Sequence, residues 1–217
     1  MDYFRAIGAI VWKDLAAELR SKELVSAMLV FQVAVADAAI HGSLAGLVGR
    51  LEKAGCLAPF PPDYWHATVV PPTFLTKGRP SPPNIYGEAF VEQALSKAKE
   101  AVRGYPAFQV TVEGVNAFRD VVVAIPYDGG HFSKLNRRLR AALPELPARY
   151  LDGHEPIPHI SLAQYTRREG LDGLIAALGE LRAHAVGSFT VSGIEMLVLP
   201  IEDGRPGAPQ KYPIPFL

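Results

Sequence analysis

Two tetrapeptides of matching chemistry stand far apart in this chain: His66-Ala67-Thr68-Val69 and His159-Ile160-Ser161-Leu162. Each contains a histidine, an apolar residue, a hydroxyl residue and a second apolar residue. β-Branched and aromatic residues surround both tetrapeptides, as is typical of strands. Because residues two apart in a strand share a face, each histidine should lie beside the hydroxyl of its own tetrapeptide. If the two strands are neighbours, two imidazoles and two hydroxyls meet in one place.

This set of groups suits a phosphodiester. Imidazole titrates near neutral pH, at ~6.5, so one ring can take a proton from water while the other protonates the leaving alkoxide. Hydroxyls can donate hydrogen bonds to the non-bridging phosphate oxygens. The sequence therefore predicts His66 and His159 as catalytic residues, and Thr68 and Ser161 as phosphate-binding residues, with no metal required. Which histidine is the base stays open, as does the alternative that both are half-buried structural residues.

The paired tetrapeptides resemble those of the 2H phosphoesterase superfamily, which includes RNA 2′,3′-cyclic phosphodiesterases once called 2′-5′ RNA ligases. Both tetrapeptides match the family pattern without a departure, and the resemblance covers roughly residues 28–217. It implies a hydrolase that opens a 2′,3′-cyclic phosphate on a nucleotide or an RNA end by two-histidine acid/base catalysis. It also implies a duplicated, bilobal fold.

Hydrophobic periodicity gives the order strand, helix, motif strand, helix, hairpin, helix, motif strand, helix, strand. This order predicts an α+β protein with two similar lobes, in which two antiparallel sheets line a central cleft and the helices lie outside. Asp37 is expected to cap the helix that follows the first strand, and Gly55 to end it. The predicted strands are 26–36, 64–70, 108–115, 119–126 and 157–165, with one or two more strands over 189–201, and the predicted helices are 38–54, 86–103, 131–143 and 169–184.

Four further residues are expected near the cleft. Lys77 and Arg79 lie in a proline-rich segment, 71–83, that leaves the first motif strand and is predicted to be a loop. Their cations could reach a phosphate, although exposed cations are usually only solvated. Tyr165 lies an even number of residues after the second histidine, and Tyr212 lies in the last extended segment. Either tyrosine ring could stack on a base or pack against the protein.

Composition limits the partners and the compartment. The 217 residues carry a net charge of zero, which argues against binding DNA or long nucleic acid through the overall field and leaves a nucleotide or an RNA end. Cys56 is the one cysteine, so no internal disulfide can form and a cytoplasmic location is predicted. Zinc-ligand spacing, a Walker loop and a Gly-x-Gly-x-x-Gly motif are all missing, so no cofactor is expected. The oligomeric state has no signature in the sequence.

The first residues form a separate unit in the sequence. Residues 1–24 are interpreted as an amphipathic helical extension, with the helix over 2–23, and 25–217 as the phosphoesterase-like domain. Residues 1–31 also resemble the N-terminus of the membrane subunit of the cytochrome c maturation haem exporter. The apolar run that follows is interrupted by polar residues before it reaches the ~20 residues that a transmembrane helix needs, so no span is expected.

Two alternatives to the enzyme hypothesis remain. The first is a non-catalytic module that keeps the fold and binds a nucleotide or an RNA end. The second is a membrane-associated accessory protein that binds a membrane surface through its N-terminal helix. Substitution of the histidines separates the enzyme from the binding module, because it should abolish turnover in one and reduce only affinity in the other.

Overall fold

The computed structural model describes most of the chain, in five segments: 27–76, 85–148, 156–202, 205–206 and 208–217. The predicted N-terminal helix and the candidate phosphate contacts Lys77 and Arg79 lie outside the described residues.

The described residues form eleven strands, four α-helices and two short 3₁₀ turns. The 3₁₀ turns are Glu52–Ala54 and Pro62–Tyr64. The helices are α1 (Ala38–Leu51), α2 (Phe90–Val102), α3 (His131–Ala142) and α4 (Leu171–Leu181). The strands are β1 (Ala27–Ala34), β2 (Leu57–Pro59), β3 (His66–Thr76), β4 (Ile85–Gly87), β5 (Phe108–Ala117), β6 (Val121–Tyr127), β7 (Ile160–Tyr165), β8 (Ala185–Val191), β9 (Gly193–Glu202), β10 (Arg205–Pro206) and β11 (Gln210–Pro215).

The strands form two mainly antiparallel sheets that meet near the beginnings of β3 and β7. In the first sheet the order is β10, β9, β1, β3, with β11 also paired to β9 and the short β4 parallel to β3. In the second the order is β7, β6, β5, β8, with β2 also paired to β7. One pair of residues, Ala67 and Ile160, joins β3 to β7. The predicted α+β class with two antiparallel sheets is confirmed. Because the Ala67–Ile160 pair joins them, the two sheets together form one continuous, curled sheet.

The two lobes are not the two halves of the chain. Lobe 1 contains the first sheet and helices α2 and α3, which contact each other, β11 and β3. Lobe 2 contains the second sheet and helices α1 and α4, which contact each other, β8 and β5. The chain crosses repeatedly between the lobes, so α1 leaves a strand of lobe 1 and packs on lobe 2. The two lobes consequently share a continuous hydrophobic core.

Strand β1 shows how the two faces of the sheet differ. Leu29, Phe31 and Val33 lie in the hydrophobic core under the helices. Gln32 points to the opposite face, since successive side chains of a strand alternate. We call the helix-covered side the core face and the side of Gln32 the cleft face. β1 is buried on both faces, as expected for a strand with neighbours on both sides.

The ends of α1 follow the sequence prediction. One carboxylate oxygen of Asp37 accepts hydrogen bonds from the backbone N–H groups of Ala39 and Ile40, at 2.9 and 3.1 Å. This satisfies two of the donors that a helix N-terminus leaves unpaired. After a short 3₁₀ turn the segment ends at Gly55, which has a φ of 73°, a conformation that favours glycine.

The prediction of a loop is wrong for residues 71–76. Strand β3 continues through Pro71 and Pro72 as far as Thr76. The register with β1 explains how a strand tolerates two prolines. Phe31 pairs with Val70 and Leu29 pairs with Thr73, so the two prolines lie opposite Val30 alone, in a bulge. At a bulge the ladder is interrupted, and a proline without an N–H group can be accommodated.

The longest described helix, α1, has 14 residues. No helix in the described part of the chain is long and apolar enough to cross a membrane.

Candidate active site

His66 is the first residue of β3, and its ring orientation is fixed by a local hydrogen bond. The ring Nδ1 lies 2.6 Å from the carbonyl oxygen of Tyr64. Because a carbonyl can only accept, Nδ1 carries the proton and Nε2 of the neutral ring is left as a proton acceptor. The edge of the Tyr64 ring also contacts the imidazole, with ring centroids 4.9 Å apart. His66 is half-buried.

His159 has the same arrangement immediately before β7. Its Nδ1 lies 2.7 Å from the carbonyl oxygen of Ile157, again two residues earlier in the chain. An aromatic ring again meets the imidazole edge-on, here that of Phe118 at 4.9 Å between centroids. Both histidines therefore present Nε2 as the nitrogen available for proton transfer. The repeated hydrogen bond gives the two rings matching orientations relative to their strands.

The junction between β3 and β7 brings the two tetrapeptides together. Ala67 pairs with Ile160 in antiparallel register, and both side chains are buried in the core. Extended by one residue, the register sets His66 opposite Ser161 and Thr68 opposite His159. All four of these flanking side chains lie on the cleft face. Side chains directly opposite each other in an antiparallel pair are ~5 Å apart at Cβ, so each imidazole faces the hydroxyl of the other tetrapeptide.

The electrostatic surroundings keep both imidazoles neutral near neutral pH. Burial lowers the pKa of His66 to about 4, with smaller contributions in the same direction from His159 and Lys211, and the bond to the Tyr64 carbonyl opposes the shift. Burial also lowers the pKa of His159, against the effect of its bond to Ile157. His66 is the more strongly affected of the two. A positive charge on His159 opposes protonation of His66.

The hydroxyl groups have different neighbours in the two lobes. Thr68 lies opposite Gln32 of β1, and Gln32 lies opposite Glu195 of β9. The Gln32 Nε2 donates a hydrogen bond of 3.2 Å to the Glu195 carboxylate. Ser161 lies opposite Val123 of β6. The side chains next to Thr68 in lobe 1 are therefore polar, whereas the side chain next to Ser161 on β6 is apolar.

The two candidate tyrosines have different positions in the structure. Tyr212 lies opposite Met196, which is in the core, and the Tyr212 ring packs against that core. The register therefore places Tyr212 on the core face and not in the cleft. Tyr165 ends β7 opposite Leu57 and is partly buried against the core. Burial, with smaller contributions from Cys56 and Asp120, raises the pKa of its hydroxyl.

Three polar residues that the sequence did not single out share the cleft face with Thr68. They are Gln32, Glu195 and Lys211, from β1, β9 and β11. No local pattern marks them, because their proximity depends on which strands become neighbours. Among the described residues no group of three or more His, Cys, Asp and Glu side chains is arranged to hold a metal ion.

Comparison with known families identifies the fold and the family. The model of the 2′-5′ RNA ligase superfamily matches residues 41–199, a span that contains both tetrapeptides. The chain belongs to the 2′-5′ RNA ligase superfamily. This is the family of phosphoesterases that the paired tetrapeptides predicted. No curated protein sequence matches the chain.

Solved structures share the fold at low sequence identity. TT0787 of Thermus thermophilus is 19% identical with a TM-score of 0.61, over 86% of this chain and 97% of that chain. E. coli LigT in its apo form is 18% identical with a TM-score of 0.58, over 87% and 98%. LigT complexed with 3′-AMP is 19% identical with a TM-score of 0.58, over 88% and 98%. The resemblance of residues 1–31 to the haem exporter finds no support in these comparisons.

The lowered pKa values predict a loss of stability in weak acid. Unfolded histidine has a pKa of ~6.5, so the unfolded chain binds protons more readily than the folded chain as pH falls from there. The free energy of unfolding should therefore decrease between pH ~6.5 and the folded pKa of His66, about 4. Substituting His66→Gln should make this decrease shallower, because glutamine does not titrate. Urea unfolding midpoints for both proteins at several pH values measure the difference, and parallel curves would contradict it.

Proposed function

We propose that the chain is a metal-independent phosphodiesterase that hydrolyses the 2′,3′-cyclic phosphate of a nucleotide or an RNA end. The observation that supports this most is the pairing of Ala67 with Ile160, because it places two histidines and two hydroxyls together on the cleft face. Each histidine holds Nε2 free of the backbone. Acid, base and phosphate ligands are thus all supplied by side chains.

The neighbouring structures support a nucleotide as substrate. E. coli LigT has been solved complexed with 3′-AMP and with phosphate, and Kluyveromyces marxianus Usb1 with uridine monophosphate, at 10% identity and a TM-score of 0.50. A nucleoside 3′-monophosphate is one product of opening a 2′,3′-cyclic phosphate. A ligand of that kind would fit a site that provides hydroxyl donors and two imidazoles.

In the proposed mechanism His66 is the base and His159 is the acid. The ring with the lower pKa is the base, because it stays neutral when the other ring carries an extra proton. His159 acts as the acid in its protonated form, in which Nδ1 keeps its hydrogen bond to Ile157 and Nε2 carries the second proton. Because burial lowers the pKa of His159, this form is a minority of the protein near neutral pH. A water oxygen attacks phosphorus and its proton passes to Nε2 of His66. The bond from phosphorus to one ribose oxygen breaks, and Nε2–H of His159 protonates that oxygen. The phosphate becomes a monoester, and solvent returns both rings to their starting states.

The hydroxyls of Thr68 and Ser161 hold the phosphate between the two rings. They donate hydrogen bonds to the non-bridging oxygens, where negative charge grows as water attacks. Attack and departure occur on opposite sides of phosphorus, so a base and an acid are needed on opposite sides of the bound phosphate. His66 and His159 flank the Ala67–Ile160 pair from opposite directions along the strands, as this geometry demands.

Leaving-group chemistry tests the two roles. A diester with a 4-nitrophenyl leaving group, such as thymidine 5′-(4-nitrophenyl phosphate), needs no general acid because nitrophenolate leaves unprotonated. His159→Ala should therefore lose much less activity on this diester than on a cyclic phosphate, whereas His66→Ala should lose similar activity on both. Initial rates of the two variants on the two substrates give the comparison. The opposite pattern would reverse the assignment.

The binding-module alternative makes a different prediction for the same proteins. A module without catalysis would bind a nucleotide, form no product from either substrate, and lose only affinity in the histidine variants. Calorimetric titration of wild type with 3′-AMP, run beside the rate measurements, separates the two functions.

A further inference from the structure

Strand β11 brings a cation onto the cleft face of lobe 1. Lys211 lies opposite Leu197 of β9, and Pro213 lies opposite Glu195. Glu195 lies opposite Gln32, which in turn lies opposite Thr68. Paired residues of antiparallel strands point to the same side of a sheet, and residues two apart in a strand share a face. Lys211 therefore projects from the same face as Thr68 and His66.

The ammonium group of Lys211 lies near enough to His66 to affect its protonation. Its positive charge is one of the causes that oppose protonation of His66, although β9 and β1 lie between β11 and β3 in the sheet. A long lysine stem can cross the concave surface of a curled sheet, and the apolar Leu197 lies directly across the strand pair from it. The head group stays in water, since Lys211 is exposed.

Lys211 has no carboxylate partner among the described residues. The ion pairs among the described residues, Arg50–Glu180 and Arg103–Glu100, do not involve Lys211. The acidic group on the cleft face of β9, Glu195, accepts a hydrogen bond from Gln32 and faces Pro213 across the strand pair, not Lys211. A cation in this position is available to an anion that enters the cleft.

Near neutral pH the histidines and hydroxyls give most molecules of the free site no positive charge, so the charge of a phosphate is uncompensated until His159 is protonated. Both histidines have lowered pKa values and are neutral near neutral pH, and Thr68 and Ser161 are uncharged. A phosphodiester carries one negative charge, and more charge develops on its non-bridging oxygens as water attacks. One nearby cation would stabilise both the bound substrate and the transition state.

We propose that Lys211 is a phosphate-binding residue of this site, whose ammonium group donates a hydrogen bond to a non-bridging oxygen of the phosphate held between His66 and His159. The proposal rests on the proposed function for the identity of the reacting phosphate. This role explains why Lys211 has no carboxylate partner among the described residues. It also makes β11, near the end of the chain, part of the site.

Binding of the product tests the proposal without relying on turnover. Lys211→Gln should weaken the binding of 3′-AMP by about tenfold, as expected for the loss of one charge-assisted hydrogen bond. It should leave the binding of adenosine, which has no phosphate, unchanged. Lys211→Arg should keep most of the affinity for 3′-AMP. Lys99→Gln, which removes the same charge from α2 over the core face, is the matched control and should bind both ligands as wild type does.

The binding measurements can fail or succeed independently of the tests of cyclic phosphate hydrolysis. Equal 3′-AMP affinity in wild type and Lys211→Gln would overturn the role of Lys211 even if the enzyme turns over cyclic phosphates. Equal weakening of 3′-AMP and adenosine would also overturn it, because the effect would then not concern the phosphate. A selective loss of 3′-AMP affinity would support the role of Lys211 even in a protein that forms no product. Calorimetric titration at low ionic strength is the measurement.

Discussion

Replacing either His66 or His159 by alanine is expected to lower kcat on a 2′,3′-cyclic phosphate by ~10²-fold or more, as for the loss of a general acid or base. Neither ring can substitute for the other, because each is held by its own backbone carbonyl, Tyr64 for the first and Ile157 for the second. The affinity for product should change much less than kcat, since the hydroxyls of the site remain.

The control for this prediction is His184→Ala. His184 is exposed, and its backbone, which the substitution keeps, makes its hydrogen bonds to Leu181 and Gly114. The His184→Ala substitution removes an imidazole outside the cleft, so kcat should stay as in wild type. Circular dichroism and a urea midpoint for each variant show that the fold is retained. Turnover within a few-fold of wild type in either His66→Ala or His159→Ala would remove that histidine from the mechanism.

Gly114→Ala is expected to cause a large loss of stability. Gly114 occupies a bulge in β5 between Glu113 and Val115, with a φ of 68°. A Cβ at this position would lie 2.0 Å from the carbonyl oxygen of Arg182, and a backbone atom cannot turn away as a flexible side chain can. Strain and clash together should cost about 3 kcal/mol or more of the free energy of unfolding.

A second glycine provides the matched comparison. Gly42 lies in the middle of α1, and an added Cβ there meets no atom within 4 Å. Gly42→Ala should raise the free energy of unfolding by roughly 0.5–1 kcal/mol, because alanine loses less backbone entropy in a helix. Urea unfolding of both variants beside wild type tests the pair. A Gly114→Ala protein as stable as wild type would mean that the turn after α4 does not press against β5 as the structure has it.

Local patterns in the sequence were sufficient for the parts of the site that lie within one strand. His66 and Thr68 share a face because strand residues alternate, and the same holds for His159 and Ser161. Asp37 and Gly55 mark the ends of a helix through backbone groups only two or three residues away. Each of these features depends on neighbours along the chain, so residue type and spacing are enough to predict it.

Features that depend on the order of strands were not predictable in this way. Pro71 and Pro72 suggested a loop, yet they lie in a strand because the pairing with β1 has a bulge at that point. The sequence suggested Tyr212 as a cleft residue and gave no reason to choose Lys211. The pairing of β11 with β9 instead places Tyr212 on the core face and Lys211 on the cleft face. One residue of register exchanges the two faces of a strand, and nothing within Gln210–Pro215 specifies that register.

The interleaving of the lobes has the same origin. The order of elements suggested two similar lobes but not how the chain passes between them: α1 follows a strand of lobe 1 and covers lobe 2. A helix packs wherever its apolar stripe finds an uncovered face of a sheet, and both sheets offer one. The junction at Ala67 and Ile160 brings those faces close enough to share a core.

The most direct measurement for the central proposal is ring opening of 2′,3′-cyclic nucleotides, and of a short RNA ending in a cyclic phosphate, by the wild-type protein in EDTA. ³¹P NMR distinguishes the cyclic diester from the monoester product. We predict monoester formation at the same rate with and without EDTA, since His66 and His159 supply both proton transfers. An unchanged cyclic phosphate signal for every substrate, from protein that is folded and binds 3′-AMP, would contradict the proposed hydrolysis.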